Sequence, residues 1–362
     1  MAIDPERRNF LAAGFPTLIG SLPLTSHHEA LRQILTHTPE IPLWPQLPSN
    51  PLERMTNQFN EGIPGIVEEE DRTYFNIGTE TFEAEMLSFF EEYLAVTEDI
   101  SKLADSRFQV SRERAGGIYH LVDELTGKAD IRAVKGQVTG PFTLLTGIAD
   151  QEKRLGYYDP TIREMSVKGI AMKAAWQVQF LSRLNKPVLL FIDEPALAGL
   201  GSSSYISISK DDIAQDLEEV INAVHLTGGL AGVHVCANTD WNFLLSTNLD
   251  IVSFDAFGFF DRFVTSKEKI YAYLNRGGII AWGIVPTSEA EDIENATSDG
   301  LAALWEEQAG KLLSDTWSLQ ALLNQTLITP SCGTGSIAPD LAKRVLTLTQ
   351  EVSAILREKY GE

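Results

Sequence analysis

Apolar positions in this chain recur in two rhythms. The run Pro187-Val188-Leu189-Leu190-Phe191-Ile192 is apolar at every position, the pattern of a parallel strand covered on both faces, and it delivers Asp193-Glu194-Pro195 at its end. Comparable runs predict strands over 131–138, ending in Thr139-Gly140-Pro141, and over 231–236, 251–254, 279–284 and 327–329. Two earlier candidates are Phe15-Pro16-Thr17-Leu18-Ile19-Gly20, which exits through Ser21-Leu22-Pro23, and Ile41-Pro42-Leu43-Trp44, which opens into the proline-rich residues 45–51.

The second rhythm is helical. Ser26-His27-His28-Glu29 has capping-box spacing ahead of Ala30, Leu31, Ile34 and Leu35, and both histidines fall in a first turn where a solvated role is expected. Phe82, Met86, Phe89, Phe90 and Leu94 predict a helix from 81 to about 103, and 112–125 holds another short one. Asp159-Pro160 supplies an N-cap with proline at the first helical position for a helix reaching about 184. Further helices are expected over 211–225, 241–246, 289–323 and 339–360. Eight strand candidates joined mainly by helices predict an α/β chain, a (β/α)8 TIM barrel formed as a single domain over 1–362 with a helical and loop insertion at about 50–130. An open doubly wound sheet is the alternative, but no Gly-x-Gly-x-x-Gly follows the first strand.

Composition removes several classes of partner. Fifty acidic residues against 29 basic ones give a formal net charge of −21, so no nucleic-acid partner is expected. Two cysteines far apart argue against a disulfide framework and for a reducing compartment. Residues 1–10 mix Asp4, Glu6, Arg7 and Arg8 without a signal-peptide core, and no apolar run is long enough to span a bilayer. The expected location is the cytoplasm, with no membrane partner. The run Glu68-Glu69-Glu70-Asp71 reads as a solvated loop.

The chemistry gathers at strand ends. In a barrel of this kind the reactive residues sit at the C-terminal ends of the strands, where Ser21, Asp193, His234, Cys236, Asp255 and Cys332 all fall. His234 and Cys236 are two apart on a β-rich run and project from the same face, and Cys332 stands where the 327–329 run gives way to Gly333. Thiolate sulfur and imidazole nitrogen are zinc donors, and a catalytic zinc uses three protein ligands while keeping a position open. Spacing alone leaves a second reading, in which these side chains fill a barrel interior as buried apolar groups.

Ile19-Gly20-Ser21-Leu22-Pro23, Ile192-Asp193-Glu194-Pro195-Ala196-Leu197, His234-Val235-Cys236 and Pro330-Ser331-Cys332-Gly333, in this order, resemble the C-terminal catalytic half of cobalamin-independent methionine synthase, a barrel related to uroporphyrinogen decarboxylase. The resemblance covers most of the chain, is strongest from about Tyr158 onward and weakens between about Pro51 and Arg132. It implies a zinc ion held by His234, Cys236 and Cys332. The fourth ligand of that family is a glutamate, and the matching position here is Asp255, one methylene shorter, as a ligand or as a support for one. It further implies substrate-binding roles for Ser21, Asp193 and Glu194, with Ser21 and nearby backbone N–H groups toward a carboxylate and Asp193 toward an ammonium. Asp193 and Asp255 are the expected catalytic carboxylates.

Two departures stand out. Gly333-Thr334-Gly335-Ser336 lacks the basic residues expected after the late cysteine, and the family's additional N-terminal barrel, which helps to hold folate, has no counterpart here. The expectation is therefore a zinc-dependent methyltransferase acting on a small-molecule thiol, homocysteine by resemblance. Its donor is expected to be a corrinoid methyl-carrier protein or another methylated compound rather than folate, with 45–51 and 68–71 as a docking face. The alternatives are a decarboxylase or lyase of the uroporphyrinogen decarboxylase type, against which the two cysteines argue, and a non-catalytic zinc- or thiol-binding protein.

Overall fold

Six of the eight expected strands pair in regular parallel ladders. The structure is a computed structural model that describes residues 10–361 except 71, 129, 202–204 and 206, so the charged residues 1–9 and Asp71 of the acidic run lie outside the described residues. In chain order the first half contains α1 (His27–His37), β1 (Ile66–Glu68), β2 (Thr73–Phe75), α2 (Phe82–Glu98), α3 (Gly116–Leu125), β3 (Val134–Thr139), α4 (Pro141–Gly147), β4 (Ala149–Asp150) and α5 (Pro160–Leu181). The second half contains β5 (Val188–Asp193), α6 (Lys210–Leu226), β6 (Leu230–Val235), α7 (Trp241–Leu244), β7 (Ile251–Asp255), α8 (Ala256–Phe263) and α9 (Lys267–Asn275). It closes with β8 (Ile279–Val285), α10 (Ala290–Asn295), α11 (Ser298–Gly310), α12 (Leu319–Asn324), β9 (Thr326–Pro330) and α13 (Pro339–Tyr360).

The sheet runs β3-β5-β6-β7-β8-β9, all parallel, as crossover helices require. The regular sheet thus has six strands rather than eight. The two remaining segments, 15–21 and 41–47, make single bridges: Pro16 with Ile328 of β9, Ser21 with Gln46, and Leu43 with Lys135 of β3. Pro16, Pro42 and Pro45 have no backbone N–H to give to a ladder, so these segments join the β9 edge to the β3 edge without becoming strands. Side chains complete the join, with Thr17 Oγ1 donating to the Ile41 carbonyl at 3.0 Å.

Ala133, Leu189, Phe191, Leu230, Ile251, Ile279, Ala281 and Leu327 form one buried cluster, and their spacing of two along each strand marks them as the inner face. The same alternation carries Lys135, Gln137, Asp193, His234, Ser253, Asp255 and Thr329 to that face nearer the C-terminal ends. Outside, α5 is packed on nearly every side, and Asp159 caps it as the sequence requires, accepting from Thr161 N at 2.9 Å and Ile162 N at 3.1 Å.

The insertion has structure of its own. β1, β2 and β4 form a small sheet, while Phe59, Phe75, Phe89 and Phe108 are buried in the same cluster as Met165, Ile170 and Trp176 of α5. Leu94, expected on the apolar side of α2, is exposed; Phe82, Phe89 and Val96 are the buried positions. Glu68 is not a free solvated charge, because Arg114 forms an ion pair with it and Asn60 donates to it at 3.0 Å. Among the described residues no helix is long and apolar enough to cross a membrane.

Candidate metal centre

His234 lies near the end of β6, and Cys236 follows just beyond it. Cys332 stands two residues past β9, on the other side of β7 and β8 in the sheet order. Twist and curl of the sheet bring them together: one donor atom from each lies within 4.8 Å of the others. His234 is buried, its Nδ1 is 3.0 Å from Ser253 Oγ on β7, and its Nε2 is buried with no hydrogen-bond partner. Ser253 engages Nδ1, which leaves Nε2 as the nitrogen open to a metal ion.

The cysteines titrate as a pair. Contact with the Cys332 thiol, together with His234, holds Cys236 below the usual thiol range. The same contact, with burial, pushes Cys332 up. Both sulfurs flank an imidazole nitrogen that has no hydrogen-bond partner. Two soft sulfurs and one imidazole nitrogen fit a zinc ion.

Asp255 is not a member of that group. Its Oδ1 accepts from Gly258 N at 2.8 Å and caps α8, while burial, with the Cys236 charge adding to it, raises its carboxyl above the usual range. Asp193 ends β5 in register with His234, and its buried Oδ1 has no partner. Burial pushes its carboxyl up to about 6, against the pull of Lys135 and His234. Glu194 is committed elsewhere: its carboxylate accepts from Phe142 N at 3.0 Å, Thr143 N at 2.8 Å and Thr143 Oγ1 at 2.6 Å, at the start of α4. Burial still pushes it up to about 7.

Ser21 meets the far end of the chain. Its Oγ accepts from Gly335 N at 3.2 Å, and its carbonyl accepts from Thr334 N at 3.0 Å. A Cβ on Gly333 would lie 2.3 Å from Ser21 Oγ, so a larger residue there would displace that hydroxyl. The structure thus brings Ser21 and Cys332 to one edge of the ring. His27, expected in solvent, instead stands 2.8 Å from the buried Glu53.

Sequence reasoning missed Lys135. Burial pushes its ammonium down to about 8, while the Asp193 charge works the other way. The signal was present, since Lys135 and Gln137 alternate within a run otherwise read as an apolar strand.

No protein-family model and no curated protein matches the chain. Among solved structures, a B12-independent methionine synthase from Shewanella sp. W3-18-1, determined in complex with selenomethionine, aligns with a TM-score of 0.52. The alignment covers 95% of this chain and 98% of that one at 14% identity. What the two share is the fold. A pneumococcal exo-β-D-N-acetylglucosaminidase catalytic module aligns at a TM-score of 0.44 and 10% identity over 94% of this chain and 85% of that one.

Proposed function

We propose that this chain is a zinc-dependent S-methyltransferase that methylates a small thiol, homocysteine by the motif resemblance, on a barrel whose first two staves are the irregular segments 15–21 and 41–47. The observation that carries the reading is the unpartnered His234 Nε2 facing Cys236 and Cys332 within 4.8 Å at the C-terminal end of a parallel sheet. The neighbour in fold is named a methionine synthase, which supports the same reaction class. Its name also says B12-independent, so the methyl donor here needs its own test.

Zinc held by His234, Cys236 and Cys332 would supply the positive charge that keeps a bound thiol deprotonated near neutral pH. The protein's own groups do the rest. Asp193 Oδ1, buried and unpaired, accepts a substrate ammonium. Ser21 Oγ, whose lone pair receives Gly335 N–H, keeps its own hydrogen to donate to a substrate carboxylate. Glu194 fixes the turn that carries Asp193 by anchoring it to α4. Asp255 holds the exit of β7 through its cap on α8, beside the ligands rather than among them.

Elemental analysis and a homocysteine methylation assay test this together. The wild-type protein is expected to retain about one zinc per chain after dialysis. Cys236→Ser and Cys332→Ser are expected to lose most of the zinc and all measurable transfer. Full zinc content in both variants overturns the ligand assignment. Zinc-loaded wild type that methylates no thiol with any donor overturns the function.

A further inference from the structure

Lys135 is wholly buried on the inner face, below the rim that carries Asp193 and His234. Its Nζ donates to the Ile19 carbonyl and, at 3.3 Å, to Gln137 Oε1, and it lies 4.4 Å from the centre of the Phe191 ring. Gln137 Nε2 in turn donates to the Trp44 carbonyl at 3.0 Å, and its own carbonyl accepts from Gln177 Nε2 at 2.9 Å. Two inward side chains of β3 therefore grip both segments that lack ladders. Ile19 is two residues before Ser21, and a Cβ on the intervening Gly20 would lie 2.5 Å from Gln46 Oε1 and 3.2 Å from Gln137 Cδ. The turn bearing Ser21 is thus seated directly on the β3 side chains.

Both acceptors of Lys135 are neutral, so its ammonium is committed to the turn and to β3 through charge-assisted hydrogen bonds. We propose that Lys135 is a positioning residue for the acceptor: its ammonium holds the Ile19-Gly20-Ser21 turn from within the ring and so sets where Ser21 Oγ meets the substrate's carboxylate. The inference rests on the functional reading above and adds a residue to it. A thiol bearing the amino-acid group depends on Lys135 through Ser21. A thiol that offers only sulfur does not.

Calorimetric titration of the zinc-loaded full chain separates these cases. The titrants are homocysteine and 2-mercaptoethanol, and the proteins are wild type, Lys135→Met and, as a control, Lys173→Met, which removes another wholly buried ammonium. Lys135→Met is expected to keep its zinc, bind 2-mercaptoethanol as wild type does, and lose about tenfold or more in homocysteine affinity. Lys173→Met is expected to bind both thiols normally. Unchanged homocysteine affinity in Lys135→Met overturns the inference, and so does an equal loss for both thiols, which marks a purely structural role. Should Lys135→Met fail to fold, Lys135→Gln, which is uncharged and one atom shorter toward the Ile19 carbonyl, is expected to show the same selective loss, and wild-type affinity there has the same overturning force. Wild-type protein that binds neither thiol overturns the functional reading and this inference with it.

Discussion

Strand alternation made the donor residues visible before any fold was known. His234 and Cys236 are two apart, so they had to share a face, and the structure adds what spacing could not, the arrival of Cys332 from β9. Buried charges were not visible in the same way. Lys173 sits between Met172 and Ala174 on a helix that is covered almost all round, so no polar stripe marks it. Its Nζ has no hydrogen-bond partner, and burial pushes it down to about 8, with Glu61 pulling up and Arg114 pushing further down. The sign follows from where the proton binds. Between about 10.5 and about 8 the unfolded chain is protonated at this lysine and the folded one is not, so stability falls as the pH falls through that window and stays reduced below it. The penalty at neutral pH is about 3 kcal/mol. Lys173→Met is therefore expected to raise the denaturant midpoint at pH 7 and to reduce the gain seen between pH 8 and 10.5. Chemical unfolding of wild type and variant across that range checks it, and parallel curves would remove the argument. Lys135 titrates in the same window, which is why the difference between the two proteins is the quantity to read.

Elements were legible where their pattern was unambiguous. The six paired strands are buried along their lengths and, β3 with its Lys135 and Gln137 apart, mainly apolar, and each was expected within a few residues of its observed bounds. The segments 15–21 and 41–47 carry the same apolar composition, but proline denies them ladders, a distinction that hydrophobicity does not report. Helix α8 went unread because Ala256-Phe257-Gly258-Phe259-Phe260 continues the apolar run of β7. The expected helix over 289–323 is three helices, broken where Thr297 and Ser318 cap new starts, accepting from Gly300 N and Ala321 N. Three-residue strands in the insertion are too short to show a period. Glu194 belongs to this scale as well, for it joins two elements rather than serving as an open substrate contact. A Cβ on Gly140 would lie 2.1 Å from its carboxyl carbon. Gly140→Ala is expected to push Glu194 off the start of α4 and to cost about 1–3 kcal/mol, read as a lower denaturant midpoint. A midpoint equal to wild type would show that the junction yields without cost.

Charge acts over the whole molecule. A formal excess of 21 negative charges sets up a field that repels anions at low ionic strength and is screened over roughly 10 Å at 0.1 M salt. Methyltetrahydrofolate carries its glutamate carboxylates into that field, whereas a methylated corrinoid presents its methyl group without such a tail. The insertion narrows the choice of docking surface. Met55 accepts from Thr139 Oγ1 at 2.7 Å, Gln46 Nε2 donates to Gln58 at 2.6 Å, and Arg114 is bound to Glu68, so this part of the chain is fastened over the β3 side of the ring. Of the acidic run expected to meet a carrier, Glu68, Glu69 and Glu70 are all exposed, and Glu68 is already paired with Arg114. The donor we propose is a corrinoid methyl carrier, with folate used poorly. Homocysteine methylation is to be measured side by side with methyltetrahydrofolate and with methylcobalamin, free and protein-bound, from low to moderate salt. The corrinoid rates are expected to exceed the folate rate, and the folate rate is expected to climb with salt as the repulsion is screened. Efficient turnover on methyltetrahydrofolate alone at low salt would sink the corrinoid reading while leaving the thiol and metal assignments in place, because neither Asp193 nor the His234, Cys236 and Cys332 group depends on which molecule delivers the methyl.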